Sequence, residues 1–447
     1  MNGAPVPPVP AGTLLVFLVQ VGVLLGLAVL LGRLAARFGL PAVVGELSTG
    51  LLLGPSVLGH AAPTLSRWLF PPHTGQFNML DAVGQLGMLL LVGLTGMYLD
   101  VGLLRRQGAR AGVVSVSSLV VPLGLGVACG LLLPVGLLST SDDRSVFAAF
   151  LGVALCVSAL PVIAKILTDL GFLHRDVGQL TLIAASVDDA AGWLMLSIVV
   201  AMATTGIHVG AVVTSVATLA GIVLAAVLVL RPLVRAVLKV TTRAAEPGTT
   251  VAVIAVLLLL CAAGTQALRM EALLGAFLCG LVVGSSGRVE PAQFATLRTV
   301  VLSVLAPIFF ATAGLRMDLT LLARPAVAIA AAVVVVVAVV GKFAGAWLGT
   351  AIVRLDRWRS LALGAGLNAR GIVQIVVASV GLRTGVLNTA GYTIVVLVAI
   401  VTSVMAPPML RLALGHIETT EDERAREVHL NGHRRDHELR GVDTNQT

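Results

Sequence analysis

Charged residues are scarce in this 447-residue chain: Asp, Glu, Lys and Arg together make up 12% of it, about half the share found in ordinary soluble domains. A soluble enzyme of this size needs far more polar surface than that to face water. Aromatics are scarcer still, at 4%, which leaves little to line a large organic-ligand cavity. The four cysteines, Cys129, Cys156, Cys261 and Cys279, all fall inside apolar runs without metal-ligand or disulfide spacing. That excludes a disulfide-stapled scaffold and marks them as small packing residues. The opening MNGAPVPPVPAG has no basic stretch of the kind that begins a signal peptide, so the first apolar run is expected to stay as a span.

Abundance lies in Leu, Val, Ala and Gly, which fill long blocks of a chain that is 57% hydrophobic. A helix of about 20 apolar residues crosses a bilayer. By that length thirteen spans are predicted, near 13–32, 41–58, 80–99, 112–134, 145–169, 178–203, 209–235, 250–268, 271–286, 296–314, 325–353, 361–383 and 390–413. The expected class is an all-α polytopic membrane protein. Its net charge of +8 is scattered between the apolar blocks rather than massed, so it speaks of topology and not of nucleic acid. One set of alternate loops holds 15 basic residues, among them Arg105, Arg106, Arg231, Arg235 and Lys239, and the opposite set holds 6. The positive-inside rule then places the N-terminus outside and the C-terminus in the cytoplasm of a cell. Residues 1–12 are expected to be extracellular, 13–415 to form the membrane domain, and 416–447 to be a solvated cytoplasmic tail. Within that tail His429, His433 and His437 lie four apart, a spacing that could line one helix face, although a flexible charged segment explains it more simply.

An ionisable residue in mid-span costs about 2.5–3.5 kcal/mol even on the gentlest scale, so each one needs a reason. Asp188 and Asp189 stand about ten residues into the sixth span, and Lys342, one of three lysines, lies deep in the eleventh. Glu46 falls early in the second span and Arg370 within the twelfth. A buried ion pair that merely fixes packing would explain one acid and one base. Adjacent helix positions, however, differ by about 100° in azimuth, so both aspartates cannot serve one lysine from one face. Two acids and one base suit the binding and release of a small cation or protons.

Two spans also carry helix breakers at their centres: Ser158 and Pro161 in the fifth, and Gly366, Asn368, Arg370 and Gly371 in the twelfth. Proline removes a backbone hydrogen bond and glycine permits non-helical dihedrals. Irregular backbone at membrane depth is tolerated only where protein or a wet cavity satisfies it. The two breaks lie seven spans apart, so these helices run in opposite directions, as an inverted-topology repeat requires. Ion sites lie where such helices cross.

With these segments in hand the chain resembles the monovalent cation:proton antiporters, in the branch of bacterial Na⁺/H⁺ and Kef-type exchangers and plant cation/H⁺ exchangers. The resemblance rests on RFGLPAVVGELSTGLLLGPSVLG (37–59), LVGLTGMYLD (91–100), SALPVIAKIL (158–167), SVDDAAGWLML (186–196), LLGAFLCGLVV (273–283), LAPIFFATAGLRMDL (305–319), VGKFAGAWLG (340–349) and GLNARGIVQIVV (366–377), in that order. It implies a core domain that moves against a dimerisation domain, in a homodimer. It also implies that Asp189 is the ion- and proton-binding carboxylate and that Lys342 pairs with Asp188. Ser158 and Pro161 would lie in the first unwound helix, and Asn368 and Arg370 in its counterpart. Gln266 and Glu271 depart from the family pattern of Glu and His, and the nucleotide-binding domain of Kef-type proteins is not expected to regulate this chain.

The expected activity is therefore exchange of a monovalent cation, Na⁺ in preference to K⁺, for protons, with no cofactor and no covalent chemistry. A proton-driven exporter of an organic solute or drug is the alternative. A channel would need a pore of repeated weak sites, and an enzyme a nucleophile or metal set that the sequence does not offer.

Overall fold

The computed structural model describes residues 9–421 and Glu423, apart from 72–73, 98–107, 141–142, 171, 173–174, 206–208, 242–246, 269 and 287–294. The three tail histidines lie outside the described residues. Every regular element described is helical. Among the described residues, ten helices are long and apolar enough to cross a membrane. The three other predicted spans meet shorter apolar helices. Two of those spans are broken in the middle, and the third is short in sequence.

The helices that position the site are α1 (Ala11–Arg37), α2 (Ala42–Leu53), α3 (Thr74–Met97), α4 (Gly108–Leu132), α5 (Arg144–Cys156), α6 (Leu160–Asp169) and α7 (Asp176–Thr205). They are followed by α8 (Val209–Ala225), α9 (Arg231–Thr241), α10 (Pro247–Ala267), α11 (Ala272–Gly284), α12 (Ala295–Val300) and α13 (Ala306–Leu315). The last four are α14 (Pro325–Ile352), α15 (Arg357–Leu367), α16 (Gly371–Arg383) and α17 (Thr389–Leu414).

They pack as two groups. The first contains α1, α2, α3, α10, α11 and α13; the second contains α4, α5, α7, α14, α15, α16 and α17. Without a hydrophobic force between helices in lipid, close approach depends on small residues. In the first group a β-carbon on Gly280 of α11 would stand 2.0 Å from the Gly93 carbonyl oxygen of α3. In the second, Gly341, Gly345 and Gly349 form a stripe along α14. β-Carbons there would meet Pro122, Ser117 and Val114 of α4 at 3.1 Å or less. That stripe sits beside Lys342 and lets the lysine reach the α4 backbone. The sequence reading did not single it out, although its four-residue spacing was visible.

Candidate ion-binding site

The fifth predicted span divides into α5 and α6, with Val157–Ala159 unwound between them. The twelfth divides into α15 and α16, separated by Asn368–Arg370. Pro161 lies in the first turn of α6, where its missing N–H costs nothing because the helix start has no partner for it. Gly371 opens α16 with φ +39°, and a β-carbon there would meet Val162 at 2.6 Å. Only glycine suits that position. Its N–H is taken up by Ser403 Oγ at 3.2 Å.

The two unwound stretches cross and bond to each other. Ala159 N–H donates to the Ala369 carbonyl at 3.1 Å, and Ser158 Oγ lies 2.8 Å from the Leu367 carbonyl. The same hydroxyl stands 2.7 Å from Asp188 Oδ2. A hydroxyl carries one hydrogen, so it can donate to the backbone or to the carboxylate but not to both at once.

Asp188 and Asp189 sit in the middle of α7, and both are fully buried. Lys342 Nζ reaches Asp188 Oδ2 at 2.6 Å and the Ser118 carbonyl at 3.1 Å, with no exposed surface on either side chain of the pair. Asp189 points elsewhere. It faces the backbone N–H of Leu160 at the start of α6, where the half-helix dipole favours negative charge. Neither of its oxygens closes a hydrogen bond. The lysine thus takes one aspartate and leaves the next, as the azimuth of adjacent helix positions demands.

Arg370 is buried at the same crossing and forms no ion pair among the described residues. Its Nη2 donates to the Ala338 carbonyl of α14 at 2.7 Å and its Nη1 to the Ala154 carbonyl of α5 at 3.4 Å. It satisfies the Ala154 carbonyl freed at the end of α5, ties the crossing to the middle of α14 and adds a second positive charge to the cluster. Asn368, between the two carbonyls that receive Ser158 and Ala159, is buried with both amide atoms unpartnered. Asp188 Oδ1 and both oxygens of Asp189 are in the same condition. Each such atom costs on the order of 1–3 kcal/mol when buried without a partner. Carboxylate and amide oxygens are hard donors of the kind that group 1 cations accept. Glu46 lies elsewhere, half-buried on α2 against Gly32 of α1.

The sequence model for "Sodium/hydrogen exchanger, transmembrane" matches residues 24–414. The chain belongs to the sodium/hydrogen exchanger family. That is a family of transporters, not of enzymes, and its members pass through the membrane several times. The chain is 32% identical over 404 residues to the Na(+)/H(+) antiporter NhaS4 of Synechocystis sp., covering 89% of this chain and 97% of that one. It is 30% identical to Cation/H(+) antiporter 17 of Arabidopsis thaliana over 88% of this chain and 48% of the other, so it spans about half the length of that plant relative. The K(+)/H(+) antiporter 1 of Saccharomyces cerevisiae is 28% identical over 83% of this chain and 43% of its own length. The fold is similar to that of the sodium proton antiporter MjNhaP1 of Methanocaldococcus jannaschii, with a TM-score of 0.67, 14% identity, and coverage of 90% of this chain and 99% of that one.

Proposed function

We propose that this exchanger moves a monovalent cation against protons by alternating access at the helix crossing, with Asp189 as the exchanging carboxylate and Lys342–Asp188 as its partner pair. The observation that carries this reading is the unequal treatment of two adjacent, equally buried aspartates. One is held by an ammonium and a hydroxyl; the other faces only the N–H at the start of a half-helix and closes no hydrogen bond. A cation bound by both carboxylates and Asn368 would compete with the lysine for Asp188 and with a proton for Asp189. An empty site with an unpaired buried anion is costly to carry through the membrane, which couples the two fluxes.

In this reading the second group of helices moves against the first. All thirteen predicted segments span the plasma membrane, the N-terminus is outside and the C-terminus cytoplasmic, and the two halves are inverted repeats in each protomer of a homodimer. Na⁺ is preferred to K⁺, because the Asp-Asp-Lys set resembles that of sodium exchangers. An organic-solute exporter fits less well: the cavity between the two groups has a volume of about 220 Å³, below the ~300–1,000 Å³ usual for drug-sized ligands.

The test is purified protein in liposomes with a preset pH gradient, challenged in turn with Li⁺, Na⁺, K⁺ and Rb⁺. Dissipation by Na⁺ at lower concentration than by K⁺ is expected. No cation-dependent dissipation, or equal response to all four, would contradict the reading.

A further inference from the structure

The cavity between the two helix groups is crossed by a continuous polar belt. Glu271, just before α11, is 3% exposed, and its Oε1 accepts from Arg383 Nη2 at 2.5 Å. Arg383 Nη1 reaches Gln85 Oε1 at 3.4 Å, and Gln85 Nε2 donates to Asp81 Oδ2 at 2.7 Å. Asp81 Oδ1 accepts from Arg316, whose guanidinium lies 5.5 Å from the centre of the Phe77 ring. Asp81, Gln85, Arg316 and Arg383 line the cavity, together with Ser379 and a buried Thr312 hydroxyl that has no partner. All members of the belt but one come from the first group. The exception, Arg383, ends α16, the half-helix that begins at the crossing.

A straight helix of this length, 13 residues, is a rod of about 20 Å. Motion at the crossing is therefore delivered to Arg383, and Arg383 is the belt's tie to the moving group. Its partner Glu271 is nearly sealed from water, so separation leaves a buried carboxylate without its cation, whereas the half-exposed arginine loses little. We propose that Glu271–Arg383 is a reversible latch between the two groups at this mouth of the ion path, and that its strength sets the balance between the two access states. This assigns Glu271, which departs from the family pattern, a positioning role in the transport cycle. The proposal rests on the alternating-access reading above.

The experiment uses Glu271→Gln, Arg383→Gln and the exchanged pair Glu271→Arg with Arg383→Glu. In liposomes each single variant should shift the half-saturating cation concentration by about threefold or more, a size suited to a partly exposed ion pair with one buried partner. The exchanged pair should return to within about twofold of wild type. A second measurement follows access directly: a charged thiol reagent applied in detergent to Ser379→Cys, with the natural cysteines as background. Labelling should be about threefold faster when Glu271→Gln is added. Single variants that match wild type in both measurements, or an exchanged pair no better than the worse single variant, would overturn the latch. Absence of cation-dependent flux in the wild type would instead overturn the antiport reading beneath it.

Discussion

Two buried carboxylate clusters lie in or against the second group of helices, and they are treated in opposite ways. At the helix crossing, three of the four oxygens of Asp188 and Asp189 lack a hydrogen-bond partner. At the end of the same helix α7, Glu423 is almost as deeply buried, yet it is saturated. Its Oε1 accepts the N–H of Asp176, the first residue of α7, at 2.7 Å; its Oε2 accepts the N–H of Thr420 at 3.0 Å and pairs with Arg175 Nε at 3.1 Å. Arg175 Nη2 in turn donates to the carbonyls of Ile417 and Glu418. A distant segment thus caps the helix that bears the two aspartates. Burial would push the Glu423 carboxyl up, but the two backbone N–H groups and Arg175 outweigh it and hold the group below the usual carboxylate range. In the proposed reading, the saturated carboxylate is a structural part and the unsaturated pair at the crossing is where exchange occurs.

The largest expected break of this contrast is Asp189→Asn. It removes the charge but keeps the shape of a group with no bonds to lose. Cation-dependent proton flux should fall to background, while the thermal midpoint stays within a few degrees of wild type. Retained flux would show that the bare aspartate is idle.

Next comes Lys342. Its replacement by Ala leaves Asp188 as a lone buried charge, a change worth about 3–5 kcal/mol in other buried pairs. Lys342→Gln is the gentler probe. If the lysine gives up a second proton for each cation, this variant should keep weak Na⁺ exchange but lose its response to an imposed potassium–valinomycin potential, to which the wild type responds. Equal wild-type rates with and without the potential would reduce the lysine to a structural part.

The saturated end should behave differently. Glu423→Ala is expected to cost about 1–3 kcal/mol of stability by orphaning the Asp176 N–H and Arg175, with flux per folded molecule changed by less than about twofold. Thermal unfolding and liposome flux on the same preparation separate the two effects. A large loss of flux at unchanged stability would join the two regions that the structure keeps apart.

The smallest effect is in pH. A folded value held below the unfolded one, about 4.3 for Glu, gives a contribution to stability that is complete well above that pH. It disappears as pH falls through the folded value. Acid unfolding of Glu423→Gln should therefore start from a lower midpoint at neutral pH, and the gap to wild type should narrow towards pH 4. A gap that widens in acid would contradict the cap.

The helix crossing was more legible in the sequence than the capped end of α7. Asp188, Asp189 and Lys342 announce themselves because charge inside an apolar run is expensive, and the breaks at Ser158–Pro161 and Asn368–Gly371 show in proline and glycine. Arg370 was visible as a charge, but its attachment to the carbonyls of Ala154 and Ala338 was not, since backbone acceptors leave no mark in sequence. The pairs Arg383–Glu271 and Arg175–Glu423 join residues 112 and 248 positions apart, and such charges near predicted span ends look like ordinary surface. For the same reason the tail expected from His416 onward begins docked at Ile417, Glu418 and Glu423 rather than free in solvent.

The central claim is that a cation and a proton compete for one carboxylate cluster, and proton release measures that competition directly. Purified protein in weakly buffered detergent solution is titrated with NaCl, with choline chloride as control, while the pH is recorded. Wild type should release protons on Na⁺ addition and Asp189→Asn should release none. Equal release from both would place the competition elsewhere in the molecule and contradict the account.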